Sequence, residues 1–169
     1  CLPHNSNYGF LVRDSATGTV AAIDTPDADE YERELDERGW SLDVILNTHH
    51  HWDHDGGNAQ LKKRYGGPVV GPSYEAGSIT GIDRELSDGE TYALGESVAH
   101  IIHTPGHTLG HIVYHFADDG LAFVGDTLFA MGCGRLFEGT PAQMWGSLSR
   151  MARAEGGTLS KVARTPRTL

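Results

Sequence analysis

Apolar positions fall into two regimes along the chain. Up to about residue 71, short hydrophobic runs alternate with amphipathic or polar stretches. Residues 8–12 and 19–23 are β-prone runs separated by the turn-forming segment 14–18, which predicts a hairpin. Thr25 and Pro26 then offer an N-cap and a first-turn proline, acidic residues follow, and Gly39 stands after Arg38. A helix is therefore predicted over about 26–38. Residues 43–47 hold an apolar run that reads as a buried strand. Residues 58–65 carry Lys62, Lys63 and Arg64 in their last turns and precede Gly66 and Gly67, which suits a short helix, and 68–71 suit a brief strand.

From residue 91 the pattern changes to closely spaced strands, at 91–94, 97–103, 112–116 and 121–125, with turn chemistry at Asp88-Gly89 and at 118–120. Thr140 and Pro141 open a last helix running to about Arg153. Two strand-rich halves, each with helices, predict an α/β (α+β) domain over 1–157 in which two sheets pack together with helices outside. Residues 158–169 contain Lys161, Arg164 and Arg167, no acidic residue and no apolar periodicity, so a disordered basic tail is expected there.

A length of 169 residues suits one domain with a real core. Thirteen basic against twenty-three acidic side chains give a formal charge of -10, which would repel a phosphate backbone and argues against nucleic acid as a partner. No membrane-length apolar stretch and no signal-peptide pattern occur, so a cytoplasmic protein is expected. Cys1 and Cys133 are the only cysteines and have no metal-finger spacing, which argues against a disulfide framework or a structural zinc site. Because the first residue is Cys rather than Met, a processed chain or a piece of a longer coding region is expected.

The chemistry concentrates where strands end. His49, His50, His51, Trp52, Asp53 and His54 follow the strand at 43–47 and precede Gly56-Gly57, a loop position where α/β folds build sites. His49 and His51, two apart, can be aimed to one side. Asp53 and His54 are adjacent and must diverge, which implies two metals. A second cluster, His103, His107 and His111, follows another strand, and His107, in a Gly/Pro-shaped loop, can supply a third imidazole. Asp126 again ends a strand, and a carboxylate can bridge two cations. Imidazole and carboxylate without thiolate favour zinc, with iron or manganese as alternatives. A hydroxide held between two such ions forms near neutral pH, so hydrolysis is the natural chemistry. His4, His50, His100 and His115 read as structural, His103 and His111 as hydrogen-bond partners of ligands, and Trp52 as a loop anchor. Cys133 reads as either a reactive thiol or a small buried turn residue.

These residues resemble the metallo-β-lactamase superfamily, whose H-x-H-x-D-H signature is met by His49 to His54. Within it the chain is most similar to glyoxalase II, the hydroxyacylglutathione hydrolases. Four segments carry this: Thr48 to His54 with Gly56-Gly57-Asn58; Thr104-Pro105-Gly106-His107-Thr108 with Gly110-His111; Gly125-Asp126-Thr127-Leu128-Phe129; and Gly132-Cys133-Gly134-Arg135-Leu136-Phe137-Glu138-Gly139-Thr140. The resemblance implies a four-layer αββα sandwich. It implies one metal on His49, His51 and His107 and another on Asp53 and His54, with Asp126 bridging and Asp53 also orienting the nucleophile. The implied substrate is S-D-lactoylglutathione, a small-molecule glutathione thioester attacked by a metal-bridging hydroxide, with the enzyme a monomer or weak homodimer. Arg135 falls at a glutathione-contacting position, and Phe137 where many members have Tyr. The resemblance also implies a first strand preceding Cys1, a further histidine near residue 165 for the second metal, and a C-terminal helical domain. No histidine follows His115, so a chain truncated at both ends, with the second site short of one protein ligand, is expected. Two rival readings remain. A single-iron persulfide dioxygenase of the same superfamily would need only His49, His107 and Asp126, and a catalytically weak or dead remnant would bind metal without turnover.

Overall fold

The computed structural model describes residues 2–4 and 7–154. Ten strands form two sheets. The first, in the order β1-β2-β3-β4-β5-β6, comprises Leu2–His4, Asn7–Arg13, Val20–Ile23, Val44–Leu46, Val69–Pro72 and Arg84–Leu86. Its first two pairings are antiparallel and the remaining three parallel. The second sheet is wholly antiparallel, with β7 (Thr91–Leu94), β8 (Ser97–His103), β9 (Ile112–Phe116) and β10 (Leu121–Phe123) in the order β10-β9-β8-β7.

Alternation along the strands sorts side chains into three hydrophobic layers. Ala21, Ile23, Val44, Leu46 and Val70 of the first sheet meet Ala99, Ile101, Ile112, Tyr114 and Phe123 of the second. Val20, Ala22, Ile45 and Val69 point the other way, onto Tyr31 and Leu35 of α1 (Ala28–Arg38) and Leu61 of α3 (Asn58–Tyr65). Ile102, Val113, Ala122 and Val124 face Met151 of α4 (Pro141–Ala154). The result is the expected αββα sandwich. β4 reads as a continuous apolar run because a central parallel strand is covered on both faces.

Several local features depart from the sequence pattern. The hairpin is preceded by a three-residue edge strand, β1, where no strand was expected. Asp27, not Thr25, caps α1, accepting from the backbone N–H of Asp29 and Glu30, while Gly39 closes the helix in the left-handed conformation as predicted. Thr25 is diverted: its hydroxyl donates to Asn58 and its N–H to the His54 carbonyl. β6 and the 3-10 turn Ser73–Ser78 were not foreseen, because β6 is largely exposed and carries no apolar alternation. β10 stops at Phe123 rather than residue 125, since Gly125 at φ +45° turns the chain. Among the described residues no helix is long and apolar enough to cross a membrane. The tail at 158–169 lies outside the described residues.

Candidate metal centre

Four strand ends deliver the site. β3 runs into Asp24, β4 into Thr48 and the histidine loop, β8 into the 104–111 loop, and β10 into Asp126. Within the histidine loop a single helical turn, α2 (Trp52–Asp55), separates Asp53 from His54 by a helical step, so the two side chains diverge. The His54 carbonyl is fixed by the N–H of Thr25 and the amide of Asn47.

Three imidazoles converge. His49 Nε2 lies 3.2 Å from His51 Nδ1, which lies 2.9 Å from His107 Nε2. The partners of the far ring nitrogens fix the tautomers. His107 Nδ1 is 2.8 Å from the Arg135 carbonyl, which can only accept, so Nδ1 carries the proton and Nε2 is a bare lone pair. The Thr48 hydroxyl donates to Asp24 Oδ2 and can therefore accept from His49 Nδ1 at 2.9 Å, which again leaves Nε2 bare. Burial, followed by the fields of His54, His111, His107 and His51, drives His49 well below the ordinary imidazole range. His51 is lowered too, by burial and by His107 and His50. The ligand atoms of His49, His51 and His107 all lie within 4.8 Å of one another, close enough to share one cation.

The other half of the site is built on charge. His54 Nδ1 donates to Asp24 Oδ2 at 3.0 Å, and its buried Nε2 makes no hydrogen bond, with Asp126 Oδ1 at 3.4 Å. Burial opposes protonation of His54, yet Asp24 and Asp126 outweigh it and push its pKa up to about 10. Asp126 reaches both halves, one oxygen toward His54 and Oδ2 3.3 Å from His107 Nε2. Burial raises the Asp126 carboxyl, but His54, His107 and His111 more than reverse that. Asp53 turns toward Asn7, whose amide donates to its Oδ2. A cavity of about 490 Å³ opens beside His54 and Asp126, with Tyr8, Phe10 and Phe129 among its walls.

His111 is not turned into the cage. Its Nε2 accepts from the Asp126 N–H at 3.2 Å, and its Nδ1 faces the hydroxyls of Thr104 and Thr127, so it positions the Asp126 backbone. Gly125 lets this happen, because a Cβ there would stand 2.6 Å from His111 Nε2 and 2.5 Å from Thr48 Oγ1. His103 instead bonds the Leu109 carbonyl and touches no ligand side chain. Trp52 is 70% exposed and anchors nothing, and Cys133 is an exposed free thiol rather than a buried turn residue. Arg135 is exposed. Phe137, 62% exposed, sets its ring edge-on to His51 and His107 at 5.4 and 5.3 Å.

Foremost among the residues that sequence reasoning missed is Asp24. It is buried, sits at φ +50°, and takes three hydrogen bonds, from Thr48 N–H, Thr48 Oγ1 and His54 Nδ1. It thereby ties the two halves together. Its one sequence signal is an acidic residue directly after an apolar strand.

A family model described as the metallo-β-lactamase superfamily matches residues 3–160. The chain belongs to that superfamily. A hydroxyacylglutathione hydrolase of Maricaulis maris is 56% identical over 152 residues, which are 90% of this chain and 59% of that protein. The chain thus spans less than two thirds of the length of this curated relative. Among solved structures, TTHA1623 in a di-iron-bound form aligns with a TM-score of 0.73 at 27% identity, over 86% of this chain and 80% of that one. The B3 metallo-β-lactamase BLEG-1 gives 0.76 at 23% identity, over 83% and 78%, a likeness of fold alone.

Proposed function

We propose that this chain is the metal-binding catalytic part of a glyoxalase II, hydrolysing S-D-lactoylglutathione to D-lactate and glutathione. The observation that carries the reading is the meeting of three imidazole nitrogens, from His49, His51 and His107, with Asp126 extending from His107 to His54. The hydroxyacylglutathione hydrolase relative, at 56% identity, supports the substrate class, and the di-iron form of TTHA1623 supports a two-metal site. In this reading His49, His51 and His107 hold one divalent cation, and Asp53 and His54 a second, with Asp126 shared. Bound there, zinc, iron or manganese would supply Lewis acidity and lower the pKa of water to about 7.

The residues around the cage then divide the remaining work. Asp53, with one oxygen occupied by Asn7, keeps the other for orienting the attacking water. Arg135, exposed on the segment whose backbone holds His107, would meet an anionic group of glutathione. Phe137 walls the same side. Cleavage of the thioester carbon–sulfur bond releases glutathione as thiolate, a leaving group that needs no general acid. A single-iron dioxygenase built on His49, His107 and Asp126 leaves His51 without a role, although its Nδ1 is at the centre of the imidazole contacts.

Metal content per chain, measured on the same sample as S-D-lactoylglutathione hydrolysis, tests the reading. Close to two metals with turnover is expected. Metal without hydrolysis of any glutathione thioester would overturn the substrate assignment, and oxygen uptake with glutathione persulfide would replace it with the dioxygenase.

A further inference from the structure

Glu75 belongs to none of the motifs that mark the site. It lies in the 3-10 turn after β5, is 6% exposed, and its carboxylate is spread across two loops. Oε2 accepts from the backbone N–H of His50 at 3.0 Å and faces His50 Nδ1 at 2.8 Å, while Oε1 accepts from the N–H of Gly110 at 2.6 Å. His50 stands between His49 and His51, and Gly110 three residues beyond His107. The side chain of His50 carries the link outward: Nε2 lies 3.3 Å from Glu138 Oε1, and Glu138 Oε2 accepts from the N–H of Leu109 at 2.8 Å. The fit at the inner end is tight, since a Cβ on Gly110 would stand 2.4 Å from Glu75 Cγ.

From this geometry we infer that Glu75 is a positioning residue for the metal centre, a buried clasp that sets the spacing between the loop bearing His49 and His51 and the loop bearing His107. No other side chain hydrogen-bonds the backbone of both loops among the contacts described above. The two loops leave different sheets, and the backbone bond that joins their bases, from the Ile112 N–H to the Thr48 carbonyl at 2.9 Å, lies outside the segments that carry His51 and His107, where a difference of a few tenths of an ångström changes a coordination sphere. One carboxylate suits the task because both its oxygens accept, whereas an amide of the same shape has one acceptor and would turn a donor against one of the two N–H groups. The inference rests on the reading of His49, His51 and His107 as ligands.

Titration of the metal-free protein with cobalt(II) tests it, since affinity and the visible ligand-field bands are both read without turnover. Glu75→Gln is expected to lose roughly 10- to 100-fold in affinity, the usual consequence of removing a partner that orients ligands, and to shift the bands. Gly110→Ala, which leaves the carboxylate in place but drives a methyl group into it, is expected to do the same. Glu138→Gln, at the exposed end of the link, is expected to lose severalfold. Leu35→Ala, a core truncation remote from the loops, should lower the melting temperature without moving the affinity of the folded protein. Wild-type affinity and bands in both Gly110→Ala and Glu138→Gln would overturn the inference even if Glu75→Gln did not fold. Wild-type cobalt binding in His107→Ala would instead overturn the ligand assignment, and the inference with it.

Discussion

The two halves of the centre reach readiness for a cation by opposite physical routes. On the His49, His51 and His107 side, burial and crowding of imidazoles lower the pKa values of His49 and His51, and carbonyl or hydroxyl partners on the far nitrogens of His49 and His107 leave lone pairs facing inward. On the His54 side, an imidazole lies between two carboxylates and Asp53 stands apart against Asn7. The first half is a cage made by packing, and the second a patch of negative charge open to a cavity. The comparison teaches that affinity at the two positions should be separable. Replacing His107 with Ala is expected to reduce metal affinity at the first position by more than about 100-fold, since losing an orienting partner alone costs 10- to 100-fold. His54→Ala should leave that position filled and lower the stoichiometry by one. Equal losses from both variants, measured by zinc competition with a chromophoric chelator, would collapse the distinction.

Metal removal probes the same asymmetry through stability. A cation present at 100 times its dissociation constant stabilises the folded chain by about 2.7 kcal/mol, provided the unfolded chain does not bind it. For a chain of this size that corresponds to roughly 5–10 °C in melting temperature. Chelation should therefore lower the wild-type transition by about that much. The His54→Ala protein should keep most of the shift and the His107→Ala protein little of it. A chelator-insensitive wild-type transition would show that the imidazole cage is held by packing alone.

Asp24 is where the halves can be disturbed together. Asparagine tolerates positive φ as aspartate does, so Asp24→Asn keeps the backbone while weakening the hold on Thr48 and His54 at once. A loss of about 10- to 100-fold in affinity is expected at both positions, read from the two phases of the same titration. A loss confined to the His54 phase would mean that Thr48 does not transmit the contact to His49. That Asp24, Glu75 and Asn7 escaped the sequence reading has a common cause. His49, His51, Asp53, His54, His107 and Asp126 announce themselves as clustered or strand-terminal ligand types, whereas the residues that orient them come singly, from β2, the end of β3 and a short 3-10 turn. The sandwich was legible for a related reason. Strand alternation and the caps at Gly39 and Gly66 are local signals, and burial agrees with them. Trp52 was misread, and Cys133 was left between two readings, because exposure is decided by what other loops cover, which no local pattern reports.

The smallest expected effect concerns which half the substrate lies over. Phe137 projects beside the imidazole cage with its ring edge toward His51 and His107 and most of its surface in solvent. Adding a phenol oxygen there buries no polar group, so Phe137→Tyr should not disturb folding or metal uptake. If glutathione lies across the cage on the side of Arg135, the hydroxyl gains one hydrogen bond to it, worth about 1 kcal/mol, or about fivefold in KM at unchanged kcat. If instead the substrate approaches through the cavity beside His54, the hydroxyl points away from it and KM stays where it was. A change in kcat alone would place the effect on the imidazoles against which the ring packs. The KM of this one variant thus tests whether the packed half of the centre is also the half over which a glutathione thioester would lie.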